Sequence, residues 1–466
     1  MRKGVMGMAN NWKKVKINFK TVKLSSFIEP IKKTYSEFND EKYSLVFGVS
    51  NTNGICITGK EASKDISKYI ILEEDCFVFN PYRINVGSIG INDKKLKGCV
   101  SPAYVVFKTN NKMNPHFLYY YLKSEYGNHL INWYGNRGGV RNALRYNDLC
   151  QIDIPNIDLP TQLVLLKNIQ NCNGTLENLR HESENQSTLL TKLRQAIIQE
   201  AIEGKLTTSW RKENPVRKGD PDYDAEALLE KIKTEKEKLI KEGKIKKEKN
   251  LSEINPEEIP FELPKGWVWT RLGEIGIVNP RNCLDDNLEI SFSPMNLISE
   301  KYGVNPKFEV KTWKEVKKGF THFAENDIAI AKITPCFENS KAGVFKHLKN
   351  KYGAGTTELH ILRPIIVLSD YVYVNVKTKK FLNEGSKLMT GAVGQKRVPV
   401  DYFSNYLIPL PPLAEQHAIV ERVEKLLSMV DELEKQVAER KEQSEQLMQA
   451  VLREAFEGKS LAKEKV

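Results

Sequence analysis

Ile408-Pro409-Leu410-Pro411-Pro412-Leu413-Ala414-Glu415-Gln416 is a step of closely spaced prolines. No helix interior tolerates that spacing, and a proline just ahead of Leu413 suits a helix start. Apolar residues then recur at Ile419, Val423, Leu426, Val430, Leu433 and Val437. The steps alternate between four and three, which predicts a coiled-coil seam. The seam weakens at Arg440 and Ser444 and resumes at Leu447, Val451 and Ala455. It stops at Gly458, a C-cap by its position, so one long helix is expected over residues 412–458.

The same element occurs earlier in the chain. Ile154-Pro155 stands ahead of Leu159 and Gln162, and Ala201-Ile202-Glu203-Gly204-Lys205 closes a helical run over residues 159–205. Gln416 follows Gln162 by 254 positions, and Gly458 follows Gly204 by the same 254. At that offset Leu179 falls on Leu433, Leu193 on Leu447, Gln195 on Gln449, Ala196 on Ala450, Glu200 on Glu454 and Lys205 on Lys459. Ile169, Leu176 and Ile197 fall on Val423, Val430 and Val451. Unrelated heptad helices can agree in hydrophobicity, but not also in Gln, Glu and Gly at one offset over roughly forty residues. The chain therefore carries an internal repeat. The first copy is more polar in its middle, at Asn173, Gly174, Ser183, Asn185 and Gln186. Propensity alone stabilises such a helix little, and the second copy, with its matching seam, is the natural partner.

A chain of 466 residues is long enough for two or three domains, and 40% hydrophobic residues suffice to build their cores. No apolar run reaches membrane-spanning length, and no signal-peptide core follows Met1-Arg2-Lys3-Gly4, which points to the cytoplasm. Seven cysteines stand singly, at Cys56, Cys76, Cys99, Cys150, Cys172, Cys283 and Cys336. An odd count without a CxxC pair argues against a disulfide framework or a zinc site. No resident metal or cofactor is expected. The net charge of +12 favours a polyanionic partner, although a Lys-rich solvated surface gives the same balance.

Residues 13–150 read as a mixed α/β domain, with strand-like runs at 43–47, 76–79 and 104–107 and a helix start over 115–122. Two stretches are polar, basic and glycine-containing. One is Asn80-Pro81-Tyr82-Arg83-Ile84-Asn85-Val86-Gly87. The other, over residues 135–145, holds Arg137, Arg141 and Arg145 around Gly138-Gly139. Its glycines let the backbone approach a phosphate and its arginines can reach a guanine edge; a solvated loop is the equal alternative. Asn80-Pro81-Tyr82 lacks the second proline of an amino-methyltransferase loop, and no glycine-rich strand-to-helix turn seats a nucleotide-like cofactor.

Composition breaks over residues 206–262. A charged helix is expected over 224–242, with Leu228, Leu229, Ile232 and Leu239 on one side, followed by a basic run at 244–249. A solvated linker is the first reading and a nucleic-acid-contacting tail the second. Pro221-Asp222 and Glu242-Gly243-Lys244 mimic a nuclease pattern, but a loop and a fraying helix end cannot hold the rigid carboxylates that chemistry needs. Residues 263–410 repeat the plan of the first domain, with strands at 327–333 and 359–362. They end in Gly391-Ala392-Val393-Gly394-Gln395-Lys396-Arg397, close to where the first domain has its Arg/Gly stretch.

The order domain, helix, domain, helix, together with Trp267-Val268-Trp269-Thr270-Arg271-Leu272, Pro409 to Gln416 and Gly204-Lys205-Leu206-Thr207, resembles the specificity subunits of type I restriction–modification systems. Glu338-Asn339-Ser340-Lys341 and Thr356-Thr357-Glu358 also resemble that family's target-recognition domain. The resemblance covers nearly the whole chain. It implies an α+β fold: two mixed α/β target-recognition domains (1–158 and 263–411) and two long helices (159–205 and 412–458) packed as an antiparallel coiled coil. A charged linker (206–262), a tail (459–466) and a pseudo-two-fold internal repeat complete the plan. It further implies a non-catalytic chain that reads a split double-stranded DNA target and docks two methyltransferase subunits and then restriction/translocase subunits. The absence of a GxxxxGK[ST] loop agrees with a motor carried elsewhere. The DNA-contact candidates are Tyr82, Arg83, Arg137, Arg141 and Arg145 in the first domain, and Lys332, Gln395, Lys396 and Arg397 in the second. The candidates for partner docking are the seam residues Ile169, Leu179, Leu193, Ile197, Val423, Val430, Leu433, Leu447 and Val451. A coiled-coil adaptor whose globular domains bind protein is the alternative.

Overall fold

A computed structural model describes residues 19–38, 40–51, 53–57, 65–135, 143–245, 251–392 and 394–457. The chain divides into two compact units. The first comprises Met1–Asn185 with Val437–Val466 and the second Gln186–Gln436.

The strands of the first unit are β1 (Thr21–Lys23), β2 (Ile28–Pro30), β3 (Val46–Ser50), β4 (Gly54–Ile57), β5 (Ile70–Ile71), β6 (Phe77–Phe79), β7 (Ile89–Ile91), β8 (Cys99–Val100), β9 (Val105–Thr109) and β10 (Asp153–Pro155). Its helices are α1 (Tyr35–Phe38), α2 (Pro115–Lys123), α3 (Glu125–Gly135), α4 (Tyr146–Leu149) and the first part of α5 (Leu159–Ile202). The expected strand at 43–47 begins later, because Glu41–Tyr43 forms a 3₁₀ turn capped by the Asp40 carboxylate. Strand order is β2-β9-β6-β7 in one sheet and β4-β3-β8-β5 in the other, with β1 paired to β10. Alternation assigns the faces. Phe77, Phe79 and Phe107 join the helices in one core, while Val78 and Val106 join Phe47, Ile55 and Val100 between the sheets. The helix-side core is closed by Leu165 and Ile169 of α5 and by Leu452, Ala455 and Phe456. Phe456 lies edge-on to Phe117 and Tyr121 at 5.3 and 5.1 Å.

In the second unit come α6 (Thr208–Glu213), α7 (Ala225–Lys241), β11 (Val268–Arg271), β12 (Gly276–Val278), β13 (Glu289–Ser293), β14 (Glu309–Thr312), α8 (Trp313–Val316), β15 (Thr321–Ala324), β16 (Ile328–Ala331), β17 (Ala342–Val344), β18 (Tyr352–Gly355), β19 (Leu359–Pro364), α9 (Ser369–Val376), α10 (Lys379–Lys387), α11 (Val400–Asn405), β20 (Leu407–Leu410) and the start of α12 (Leu413–Glu457). The sheets are β12-β19-β16-β17 and β14-β13-β18-β15, with β11 paired to β20. Every strand pairing is that of the first unit with ten added to each label. The one parallel pairing in each unit also corresponds, β3 with β8 and β13 with β18. The duplication seen in the long helices therefore extends through the globular parts.

The charged stretch after α5 is less solvated than its composition suggests. Leu228 and Ile232 of α7 are fully buried in the second unit's core. Lys236 Nζ donates to the carbonyl oxygens of Gly273 and Gly276. Burying two such side chains stabilises the unit by roughly 3–6 kcal/mol in total, which outweighs the mean polarity of the helix.

At 44 and 45 residues, α5 and α12 are each about 66 Å long. In the second unit they run antiparallel. Thr207, just past the end of α5, bonds Glu415 at the start of α12, and Arg194 reaches Asp431 and Glu434 at 2.6 and 3.1 Å. The chain leaves α5 through Gly204 in the left-handed region (φ 71), where an added Cβ would lie 2.7 Å from Pro264. Gly458, the expected cap of α12, lies outside the described residues.

Candidate nucleic-acid interface

The candidate positions fall on two loops that each unit brings together at the end of its central strand. In the first unit β6 runs into Asn80, whose side-chain oxygen accepts the Tyr82 N–H at 3.0 Å and turns the chain. Tyr82 is 60% exposed and Arg83 is exposed. Ile84 is buried beneath them, and the turn closes at Gly87 (φ 85), where a Cβ would lie 2.1 Å from Asn51 Oδ1. The second loop returns beside the first, for Leu144 N–H donates to Pro81 O at 3.0 Å. Arg145 is exposed and begins α4, its backbone N–H held by Asp148. Tyr82, Arg83 and Arg145 thus share one end of the unit. Arg137 and Arg141 lie outside the described residues.

The second unit repeats the arrangement. Val398 N–H donates to Lys332 O at 2.8 Å, the counterpart of Leu144 on Pro81. Thr334 N–H donates to Lys396 O, and Lys396 N–H to Thr334 Oγ1. Thr390 and Arg397 exchange both backbone bonds, making 390–397 a hairpin with Gln395 and Lys396 exposed. Lys332, Gln395, Lys396 and Arg397 are therefore neighbours. Two of them are not simple exposed cations. Arg397 places Nε and Nη2 on the two oxygens of Glu358, both at 2.8 Å, so its fork already holds a carboxylate. That pairing lowers the pKa of Glu358 and raises that of Arg397. Lys332 is half-buried, and burial lowers its pKa, with Glu358 opposing and Arg397 adding to the shift.

Beneath the hairpin, His360 is buried and stacks on Phe403 at 5.4 Å. Its Nε2 lies 2.9 Å from Val398 O, which can only accept, so Nε2 carries the proton. Nδ1 is then a bare acceptor with no partner among the described residues. Burial pushes the pKa of this imidazole down to about 4.

The seam residues divide into two groups. Ile169, Ile197, Val423 and Val430 are buried inside the chain itself. Side chains at the seam of an antiparallel pair face inward, so these four are closed to a second protein. Leu179, Leu193, Leu433 and Leu447 are 38–54% exposed, and Val451 is half-buried.

The sequence marks Glu415, Gln162 and Gln416 by position but not by what their side chains hold. Glu415 is buried and accepts from Thr207 Oγ1 at 2.7 Å, from Trp267 Nε1 at 2.7 Å and from Arg211 Nη1. Gln162 and Gln416 are fully buried, and their Oε1 atoms accept the N–H of Asn114 and of Leu368 at 2.8 and 2.9 Å. Their Nε2 atoms each donate to a carbonyl five residues back, Ile157 and Pro411. Asn114 and Leu368 are themselves 254 apart and stand directly before α2 and α9. Carrying the helix offset upstream would have found them. Among the described residues no group of three His, Cys, Asp or Glu is placed to hold a metal ion, and no helix is long and apolar enough to cross a membrane.

Residues 264–442 match the family model of the type I restriction modification DNA specificity domain. The chain is 50% identical over 267 residues to the specificity subunit of the EcoAI type I restriction enzyme of Escherichia coli, covering 56% of this chain and 44% of that one. The EcoEI specificity subunit of Escherichia coli is 47% identical over 267 residues, 56% of this chain and 43% of that. The chain thus spans less than half the length of these curated relatives. Among solved structures, one from a study of assembly and conformational transition of the type I restriction–modification system matches with a TM-score of 0.63 at 17% identity, over 94% of this chain and 97% of that one. The HsdS subunit from Thermoanaerobacter tengcongensis matches with a TM-score of 0.50 at 18% identity over the same shares. The family model lies on the part of the chain built around Trp267, Glu415 and the proline step, and the likeness in fold takes in both halves of the duplication. The chain thus carries a type I restriction modification DNA specificity domain over residues 264–442 and is similar to the specificity subunits of type I restriction enzymes of Escherichia coli.

Proposed function

We propose that this chain reads a bipartite double-stranded DNA target, one half through each unit, and supplies no catalytic group itself. The duplication carries the reading: two units of one topology present corresponding loop pairs, 81–87 with 143–145 and 332–341 with 390–398, that bear exposed basic, amide and aromatic side chains. Lys and Arg on phosphates supply most of the affinity, and a few side chains per unit supply discrimination. Tyr82, Arg83, Arg137, Arg141 and Arg145 serve one half-site. Gln395 and Lys396 serve the other, with Lys332 and Arg397 shaping the loop as well as lending charge. Two methyltransferase subunits and, in turn, restriction/translocase subunits dock along the helices, where Leu179, Leu193, Leu433 and Leu447 leave apolar surface exposed. The assembly acts in the cytoplasm on DNA that lacks its methyl mark.

Methylome sequencing of cells with and without this chain, the partner methyltransferase being present in both, tests the proposal. A split methylated motif that depends on the chain supports it. An unchanged methylome with an active partner refutes it and leaves an adaptor whose globular units bind protein.

A further inference from the structure

We propose that Lys123 and Lys377 are matched positioning residues, each fixing the backbone shape of the DNA-reading loop in its own unit; this rests on the function proposed above. The two lysines are 254 positions apart, the offset of the helical repeat. Lys123 ends α2 and Lys377 follows α9, and each Nζ points into the fold rather than to solvent. Lys123 Nζ donates to Gly87 O at 2.8 Å and to Asn51 O and Oδ1 at 3.2 and 3.1 Å. Lys377 Nζ donates to Glu300 O at 2.9 Å and to Ser340 O. Gly87 and Ser340 are counterparts: each closes the loop that follows the central strand, and each has a left-handed backbone, φ 85 and 58. Asn51 and Glu300 lie in corresponding connections, β3 to β4 and β13 to β14. Each ammonium also stands beside the ring of a tyrosine one turn back, Tyr119 at 5.8 Å and Tyr373 at 5.4 Å, again 254 apart.

A left-handed backbone is strained for a serine and persists only where its surroundings hold it. The Lys377 contact supplies that hold, because it grips the carbonyl of the strained residue. Lys377 is only 3% exposed, and burial pushes its pKa down to about 7. Burial lowers the pKa of Lys123 in the same direction. Burying an amine is costly, and here it is compensated by main-chain oxygens. The grip on the reading loop touches main-chain atoms only. It is therefore indifferent to the side chains at 82–86 or 334–339, and these can differ between units while the loop frame stays the same.

The test uses the full chain with a randomised duplex DNA library, comparing wild type with Lys123→Met and Lys377→Met. Methionine keeps an unbranched stem and removes the donors. The expected result is a split motif from wild type, with one half losing about tenfold discrimination in Lys123→Met and the other half in Lys377→Met. The salt dependence should be the same for all three, since the phosphate contacts remain. Hydrogen exchange without DNA should quicken near Gly87 in the first variant and near Ser340 in the second. Lys123 is only half-buried, so its variant decides the matter if Lys377→Met does not fold. A wild-type motif that Lys123→Met selects equally sharply in both halves overturns the positioning role alone. A wild type that selects no motif overturns the function proposed above, and this role with it.

Discussion

Glu415 offers the sharpest test of how the second unit holds the ends of both long helices. Its side chain is 2% exposed, and Thr207, Arg211 and Trp267 converge on it. Glu415→Ala leaves the four-fifths-buried guanidinium of Arg211 without its carboxylate, a loss of about 3–5 kcal/mol for a buried pair. It also strands the buried Trp267 N–H, at about 1–3 kcal/mol. The sum is roughly 4–6 kcal/mol, taking the lower end for the partly wet arginine. Arg211→Ala leaves the carboxylate with two neutral donors and should cost about 2–3 kcal/mol. In the double variant neither charge is left stranded, so both stranding penalties drop out and the coupling energy should be at least about 2 kcal/mol. Urea titration read by hydrogen exchange on peptides of the second unit gives all four corners of the cycle. A coupling below about 0.5 kcal/mol, the value of an exposed ion pair, would refute this account of a buried anchor.

Other expectations follow from named contacts. His360 is buried neutral, so its contribution is full above its ordinary pKa of 6.5 and is lost as pH falls towards about 4. That amounts to about 3 kcal/mol, and His360→Phe, which keeps the stack on Phe403, should flatten the pH dependence of unfolding over that window. Gln162→Leu and Gln416→Leu each strand the N–H that begins α2 or α9 and should cost about 2–4 kcal/mol, confined to the unit that carries the change, as read by hydrogen exchange. Glu358→Gln removes the charge that occupies Arg397. Non-specific DNA binding should tighten and the magnitude of its salt slope should grow by about one; an unchanged slope would mean that Arg397 stays away from phosphate.

The helices were legible because periodicity and proline punctuation are local signals. The constant offset of Gln162 and Gln416 showed the duplication without any structure. That the second domain repeats the plan of the first was legible, but the strand pairing was not, because the repeat is kept in backbone pairing while side chains diverge: Pro81 and Lys332 occupy one place, as do Leu144 and Val398. The loops that carry the candidate residues could be located by charge and glycine content. The state of each cation could not, since Arg397 and Glu358 are far apart in sequence and meet only when the hairpin lies against β19. The charged stretch around α7 reads as a linker by its mean polarity; its apolar side, with Leu228 and Ile232, is visible in the sequence, but that the core engulfs those two is a tertiary fact with no local signal.

The first unit's core is completed by a segment made very late. Gln449 takes the N–H of Glu125 from 324 positions further along the chain, and Phe456 seals Tyr121. At roughly 5–20 residues per second, the ribosome needs on the order of 15–65 s to deliver that segment after Glu125 has been made. During that interval the apolar pocket around Phe117 and Tyr121 must stay open or be shielded. The nascent chain is therefore most vulnerable not in its last-made half but in its first, which waits for a helix still inside the ribosome.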